Sequence, residues 1–280
     1  MAAETAQMQR VDVDGVELEY EVRGAGEPVV FIHAGLLADW FAPLVEQPAL
    51  ARSHRTVTYH RPGYAGSGRV AGPLDIARQA DLCHGLMRRL GIERAHVVGH
   101  SSSAAMALQF ALDAPGSVLS VTLLETALLA VPSGPYAAEA MGRYRAGARA
   151  EALDVWMRGV CGPGYRQVVD RAIPGAFDRA LADLDTFFEQ ELPALRDWTF
   201  DAQDASRVEQ PALVVLGEDS AQVSPVFAAR HELLMAWLPN AEPFVLTGAN
   251  HLLHAQNPTG MAEALVGFIG RHSAGDRTAS

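Results

Sequence analysis

Apolar and polar residues alternate through "VDVDGVELEYEV", Val11 to Val22, around Asp14-Gly15. A period of two marks a strand with one covered face, and Asp-Gly suits a two-residue turn, so this stretch predicts an opening antiparallel hairpin. The pattern then changes. "PVVFIHAG", "RTVTYHRPG", "AHVVGHS", "SVTLLET", "PALVVLGE" and "EPFVLTGANH" are short, β-rich apolar runs with little alternation. Such runs suit strands covered on both faces. Between most of them apolar positions recur at helical spacing, over 76–90, 102–112, 226–237 and 259–269. Strand-helix alternation of this kind predicts an α/β fold: a mostly parallel eight-stranded sheet flanked by helices.

One interval breaks the alternation. From 132 to 207 there is no convincing strand, and "PYAAEAMGRYRAGARAEALDVWMRGV" and "AFDRALADLDTFFEQELPALRDW" read as amphipathic helices. The expected organisation is a core of 9–131 and 208–272, with 132–207 a helical cap inserted after strand six and covering one end of the sheet.

Composition narrows the partners. Of the 280 residues 49% are hydrophobic and 20% charged, ordinary values for a globular chain, and only the first eight residues and the tail from Ser273 look too polar and small to pack. With 22 Lys and Arg against 33 Asp and Glu, the net charge is -11, which argues against nucleic acid or an anionic membrane as partner. "MAAETAQMQR" lacks a basic segment leading into an apolar one, and no run approaches roughly 18 charge-free apolar residues, so neither a signal peptide nor a membrane span is expected. Cys83 and Cys161 are isolated, which fits a reducing compartment, and the expected location is cytoplasmic. Nothing in the surface pattern speaks to oligomeric state.

The chemistry turns on "VVGHSSSAAMALQFALDAP", Val97 to Pro115, where an apolar strand gives way to a helix through three serines. A serine hydroxyl is a poor nucleophile unless a base removes its proton and its oxygen stands clear of the backbone. A sharp strand-to-helix turn meets the second need and aims unpaired helix amides at developing charge. Gly99, Ser103 and Ala104 are small enough to let strand and helix approach.

Gly99-His100-Ser101-Ser102-Ser103 resembles the G-x-S-x-G nucleophile elbow of the α/β-hydrolase family, with serine in place of the last glycine. Three further stretches are similar to that family in the same order, and the resemblance covers roughly residues 10 to 271. It implies an α/β-hydrolase fold with Ser101 as nucleophile. In "FIHAGLLADW" it implies that the backbone amide of Gly35, with that of Ser102, forms the oxyanion hole, while His33 holds the loop. "YHRPGYAGSG" is similar to the family's loop after strand four, and Arg61 there is read as loop-fixing. In "FVLTGANHLLHAQNP" the resemblance implies that His251 is the general base. His254 stands three residues on, but no further ligand cluster accompanies the pair, so no metal is expected.

The acid stays open between two residues. The family usually places it after strand seven, where "VVLGEDSAQVSP" has Ser220 at the usual position and Asp219 one residue early. A minority places a Glu at the end of strand six, where "SVTLLETALLAVP" offers Glu125. A carboxylate ending an apolar strand needs a partner, and an imidazolium is one, which favours Glu125 over the alternative acid Asp219.

A serine at the elbow implies an acyl-enzyme rather than the alkyl-enzyme of dehalogenases. The resemblance thus implies a serine hydrolase acting on a small to medium hydrophobic carboxylic ester, a small-molecule partner, with Trp156, Met157, Phe187, Phe188 and Trp198 as candidate pocket or core aromatics and apolars. No glycine-rich phosphate loop precedes a helix, and no cofactor is expected. The same machinery serves lactones, thioesters or a carbon-carbon bond beside a ketone. A weakly catalytic ligand receptor on the same fold is the alternative of a different class.

Overall fold

The structure, a computed structural model, describes residues 8–70, 72 and 74–273. Apart from Met8 and Ser273, the polar ends set aside above lie outside the described residues. Eight strands form one sheet: β1 (Gln9–Val13), β2 (Val16–Arg23), β3 (Glu27–Ile32), β4 (His54–Tyr59), β5 (Ala95–His100), β6 (Val118–Leu124), β7 (Ala212–Gly217) and β8 (Ala241–Leu246). Their spatial order is β1-β2-β4-β3-β5-β6-β7-β8. The hairpin forms as the alternation predicts: Val13 pairs with Val16, and Asp14 and Gly15 turn the chain at φ 51° and 82°. Asp and Gly tolerate that left-handed backbone better than other residues. β2 pairs antiparallel with β4, and every later pair is parallel.

The absence of alternation in β3 to β7 has a direct cause, since both faces of the sheet are covered. Val30 and Ile32 join Val97 and Val214 in one core, closed by helices Ile76–Arg89 and Ser102–Asp113. Val29 and Phe31 join Val98, Leu213 and Val215 in the other, closed by helix Pro258–Arg271. Each such side chain contributes about 1.5–3 kcal/mol relative to leaving it in water.

The sheet order also locates the site. From β3 the chain crosses to one neighbour, β4, and returns to lay β5 on the other side of β3. Loops leaving the ends of β3 and β5 diverge there and open a crevice at the carboxyl ends of the strands. Gly35 follows β3 and Ser101 follows β5, so both stand at that crevice.

Between β6 and β7 the described residues form helices Tyr136–Arg145, Arg149–Cys161, Tyr165–Ala172 and Ala176–Ala182, a π-helical turn Thr186–Glu191, and helices Leu192–Asp197 and Ala202–Ala205. Side chains bind this run to loops at the carboxyl end of the sheet. Asn250 Nδ2 donates to the Cys161 carbonyl at 2.9 Å, and the Ala65 amide donates to Asp183 Oδ2 at 2.8 Å. No helix among the described residues is long and apolar enough to cross a membrane.

Candidate active site

Ser101 sits between β5 and helix Ser102–Asp113 at φ 55°, ψ -117°, a conformation that costs a residue with a Cβ. The surroundings hold it there. Its amide donates to the Leu124 carbonyl at 2.9 Å, and its carbonyl accepts from Ala127 N at 3.0 Å. A Cβ on Gly99 would stand 2.5 Å from the Ser103 carbonyl oxygen and 2.7 Å from Ala104 Cα, so only glycine lets strand and helix meet this closely. Ser103, expected as filler, does more. Its hydroxyl donates to the Ile32 carbonyl at 2.5 Å and accepts from the His100 amide at 2.8 Å, tying the elbow to the end of β3.

Of the two candidate acids, the fold brings only Glu125 to the histidine. Glu125 Oε2 lies 2.6 Å from His251 Nδ1, and the carboxylate side chain has no solvent exposure. Its other oxygen accepts from the Gly217 amide at 2.8 Å and from the Ser220 hydroxyl. Ser220, at the position where an acid was sought, is thus a donor to the acid one strand away. Asp219 is turned elsewhere and accepts from Gln222 Nε2 at 2.8 Å. The His251 ring is held from both sides, stacked on Phe227 with centroids 4.6 Å apart and tilted against His100 at 4.6 Å.

Ser101 and His251 line one cavity of about 700 Å³. Among the described residues no hydrogen bond joins their side chains. Trp156, Met157 and Phe187 lie on its wall. Phe188 and Trp198 do not: Phe188 stacks on Tyr144 at 4.7 Å, while Trp198 stacks on Phe200 and donates Nε1–H to Gln109 at 2.9 Å. Helical spacing alone favours core packing for most of these five, and the tertiary packing puts three of them on the cavity wall instead.

The two expected oxyanion residues are neighbours in space, joined in an unexpected way. The Gly35 amide donates to the Ser102 hydroxyl at 3.2 Å, and that hydroxyl in turn donates to Glu191 Oε1. Glu191, at the end of the π-helical turn, is buried, pairs with Arg61 Nη2 at 2.8 Å and accepts from the Tyr64 hydroxyl at 2.5 Å. Arg61 also donates to the His33 carbonyl at 3.0 Å and to Gln79 at 2.6 Å, and its amide donates to His33 Nε2 at 2.9 Å. That fixes His33 as the Nδ1–H tautomer, donating to the Ala34 carbonyl at 2.7 Å. Burial and the Arg61 charge hold its pKa well below the ordinary histidine value. His33 and Arg61 therefore do the loop-holding work that their positions suggested. Sequence reading missed Glu191, which stands 130 residues from Arg61 and looks like any acid of an amphipathic helix.

His254 is wholly buried, donates Nε2–H to the Trp40 carbonyl at 2.8 Å and stacks on Phe41 at 4.8 Å. Burial pushes its pKa down to about 4. His100 donates Nε2–H to the His251 carbonyl at 3.1 Å, and burial holds it well below its ordinary value as well. Both rings are packing elements that stay neutral.

A protein-family model described as the alpha/beta hydrolase family matches residues 29–264. The chain is 42% identical over 123 residues to the dihydrolipoyllysine-residue acetyltransferase component of the acetoin cleaving system of Cupriavidus necator, covering 42% of this chain and 32% of that protein. It therefore spans only about a third of that relative's length. It is 27% identical over 280 residues to the 2-(acetamidomethylene)succinate hydrolase of Mesorhizobium japonicum, covering 93% of this chain and 94% of that one. Among solved structures, a thermophilic esterase from Thermogutta terrifontis superposes with a TM-score of 0.79 at 20% identity, over 96% of this chain and 100% of the other.

Two measurements follow. Glu191→Ala leaves the Arg61 guanidinium buried without its partner, and denaturant unfolding should show a loss of about 3–5 kcal/mol; a loss below about 1 kcal/mol contradicts the network. For His254, the folded pKa lies below the unfolded one, so the unfolded state binds more protons as pH falls through the ordinary histidine value. Its stabilising contribution is present above about pH 6.5 and declines as the medium is acidified, by about 2 kcal/mol between pH 7 and 5. Melting curves across that range should be less steep in pH for His254→Gln than for the wild type, and parallel slopes contradict the assignment.

Proposed function

The chain belongs to the alpha/beta hydrolase family, and on that premise we propose that it is a serine hydrolase cleaving a carboxylic ester through a covalent acyl-enzyme. The observation that carries this reading is the buried Glu125–His251 pair, 2.6 Å apart, on the cavity that Ser101 lines. With Nδ1–H held by Glu125, the remaining nitrogen of a neutral His251 is a proton acceptor. In this reading the Ser101 hydroxyl donates to that nitrogen, which makes a Ser-His-Glu triad.

In this reading Ser101 Oγ attacks the ester carbonyl as His251 takes its proton. The oxyanion forms against the amides of Ser102, at the open helix end, and Gly35, whose present acceptor is a neutral hydroxyl and a weaker one than an alkoxide. His251 returns the proton to the departing alcohol oxygen, and water then repeats the sequence on the acyl-enzyme. The segment 132–207 acts as a cap: Trp156, Met157 and Phe187 roof the reaction in apolar surface, which suits a small to medium hydrophobic ester. The esterase superposition supports this reading of the fold's use, and the hydrolase relative in Mesorhizobium supports hydrolysis in general.

The test is turnover of short and medium p-nitrophenyl esters by three proteins. Wild type should be active, Glu125→Gln should lose at least about 100-fold in kcat, and Asp219→Asn should stay within about threefold of wild type, because its carboxylate has no contact with the imidazole. A severe loss only in Asp219→Asn, or none in Glu125→Gln, overturns the assignment.

A further inference from the structure

The cavity wall holds one charge that the ester reading does not use. Arg230, on helix Val226–Trp237, lines the cavity and is only 4% exposed. Its Nε and Nη2 donate to the Val131 carbonyl at 3.2 and 2.8 Å, and Nη2 also lies 3.1 Å from the Ser133 hydroxyl. Those bonds account for two of the three nitrogens, and Nη1 has no partner among the described residues. Nor does any carboxylate of the described residues approach the guanidinium within ion-pair distance.

This is not how the chain treats its other deeply buried arginine. Arg61 is 1% exposed and has Glu191 at 2.8 Å. Arg196, the second cation on the cavity wall, is exposed and has Asp197 at 3.1 Å. In a chain with 33 acidic residues, a buried guanidinium without one is an isolated charge in a largely apolar wall, which is costly unless an anion arrives to pair with it. Burial lowers the Arg230 pKa, and among the described residues the titratable neighbour acting against that is Tyr136, a neutral phenol whose hydroxyl pKa burial raises.

Phe227 stacks on the His251 ring, and Arg230 follows it by three residues on the same helix face, about 4.5 Å further along the axis at the backbone. One helix thus presents both the packing partner of the base and the guanidinium to the same cavity.

We propose that Arg230 is an anion subsite of this cavity and that the ester hydrolysed here carries a carboxylate a short chain away from its scissile carbonyl. A half-ester of a short dicarboxylic acid has that form. One guanidinium with one free nitrogen matches a monoanion, whereas a phosphate dianion needs further donors that this wall lacks. The inference names the substrate class of the reading above and rests on it for the ester, but the anion subsite is testable by binding alone.

The probes are monomethyl adipate, a monoanion, and dimethyl adipate, its neutral counterpart. Binding is measured calorimetrically to Ser101→Ala, and methanol release is measured with the otherwise unaltered protein. Ser101→Ala should bind the monoanion at least about tenfold more tightly than the diester. Adding Arg230→Gln should abolish that ratio, and adding Arg230→Lys should restore part of it. Equal binding of the two probes, or a preference that survives Arg230→Gln, overturns the subsite. Should Arg230→Gln fail to fold, the preference in Ser101→Ala and its weakening with Arg230→Lys decide. Arg230-dependent binding without release of methanol from either probe leaves the subsite standing and removes the ester reading. Turnover of both at equal kcat/KM, with equal binding, does the reverse.

Discussion

A carboxylate with no exposure to water organises this end of the molecule. Desolvating Glu125 costs several kcal/mol unless its lone pairs are met, and it meets them with the Gly217 amide, the Ser220 hydroxyl and His251 Nδ1. Those donors belong to the end of β7, the turn after it and the loop after β8, while Glu125 itself leaves β6 at a positive φ of 43°. One side chain therefore ties three successive strand ends together. The histidine's orientation, and hence the nitrogen it presents to the cavity, follows from satisfying that charge.

A second buried charge, Glu191, does comparable work from the opposite side. It anchors the helical segment between β6 and β7 to Arg61 and Tyr64 of the loop after β4, and reaches Ser102 at the start of the elbow helix. Both acids are partnered by groups distant in sequence, Glu125 at the ends of β6, β7 and β8 and Glu191 at the loop after β4 and the start of the elbow helix. Arg230 stands apart as the buried cation whose partners among the described residues are a carbonyl and a hydroxyl rather than a carboxylate, and that asymmetry underlies the proposed anion subsite.

What was legible in the sequence is what local physics determines. The Asp14-Gly15 turn, the unalternated strands and the helical periods between them are written in neighbouring residues. Glu125 was legible because a carboxylate ending the apolar run "SVTLL" contradicts its surroundings, and its contradiction asks for a partner. Ser103 looked like a small spacer and Ser220 like a gap where an acid was sought, because a hydroxyl's donor role depends on which carbonyl or carboxylate the fold brings near. The Gly35–Ser102–Glu191 chain joins residues from three separated segments, and no local pattern announces it. Phe188 and Trp198 shared helical spacing with true cavity residues and packed elsewhere, since period alone gives a face but not what the face meets.

The central claim is that this architecture activates Ser101, and covalent trapping addresses it without any choice of substrate. Intact-mass measurement after exposure to a fluorophosphonate should show one adduct on the wild-type protein and none on Ser101→Ala. A folded wild type that takes no adduct, or an adduct that persists in Ser101→Ala, contradicts the account.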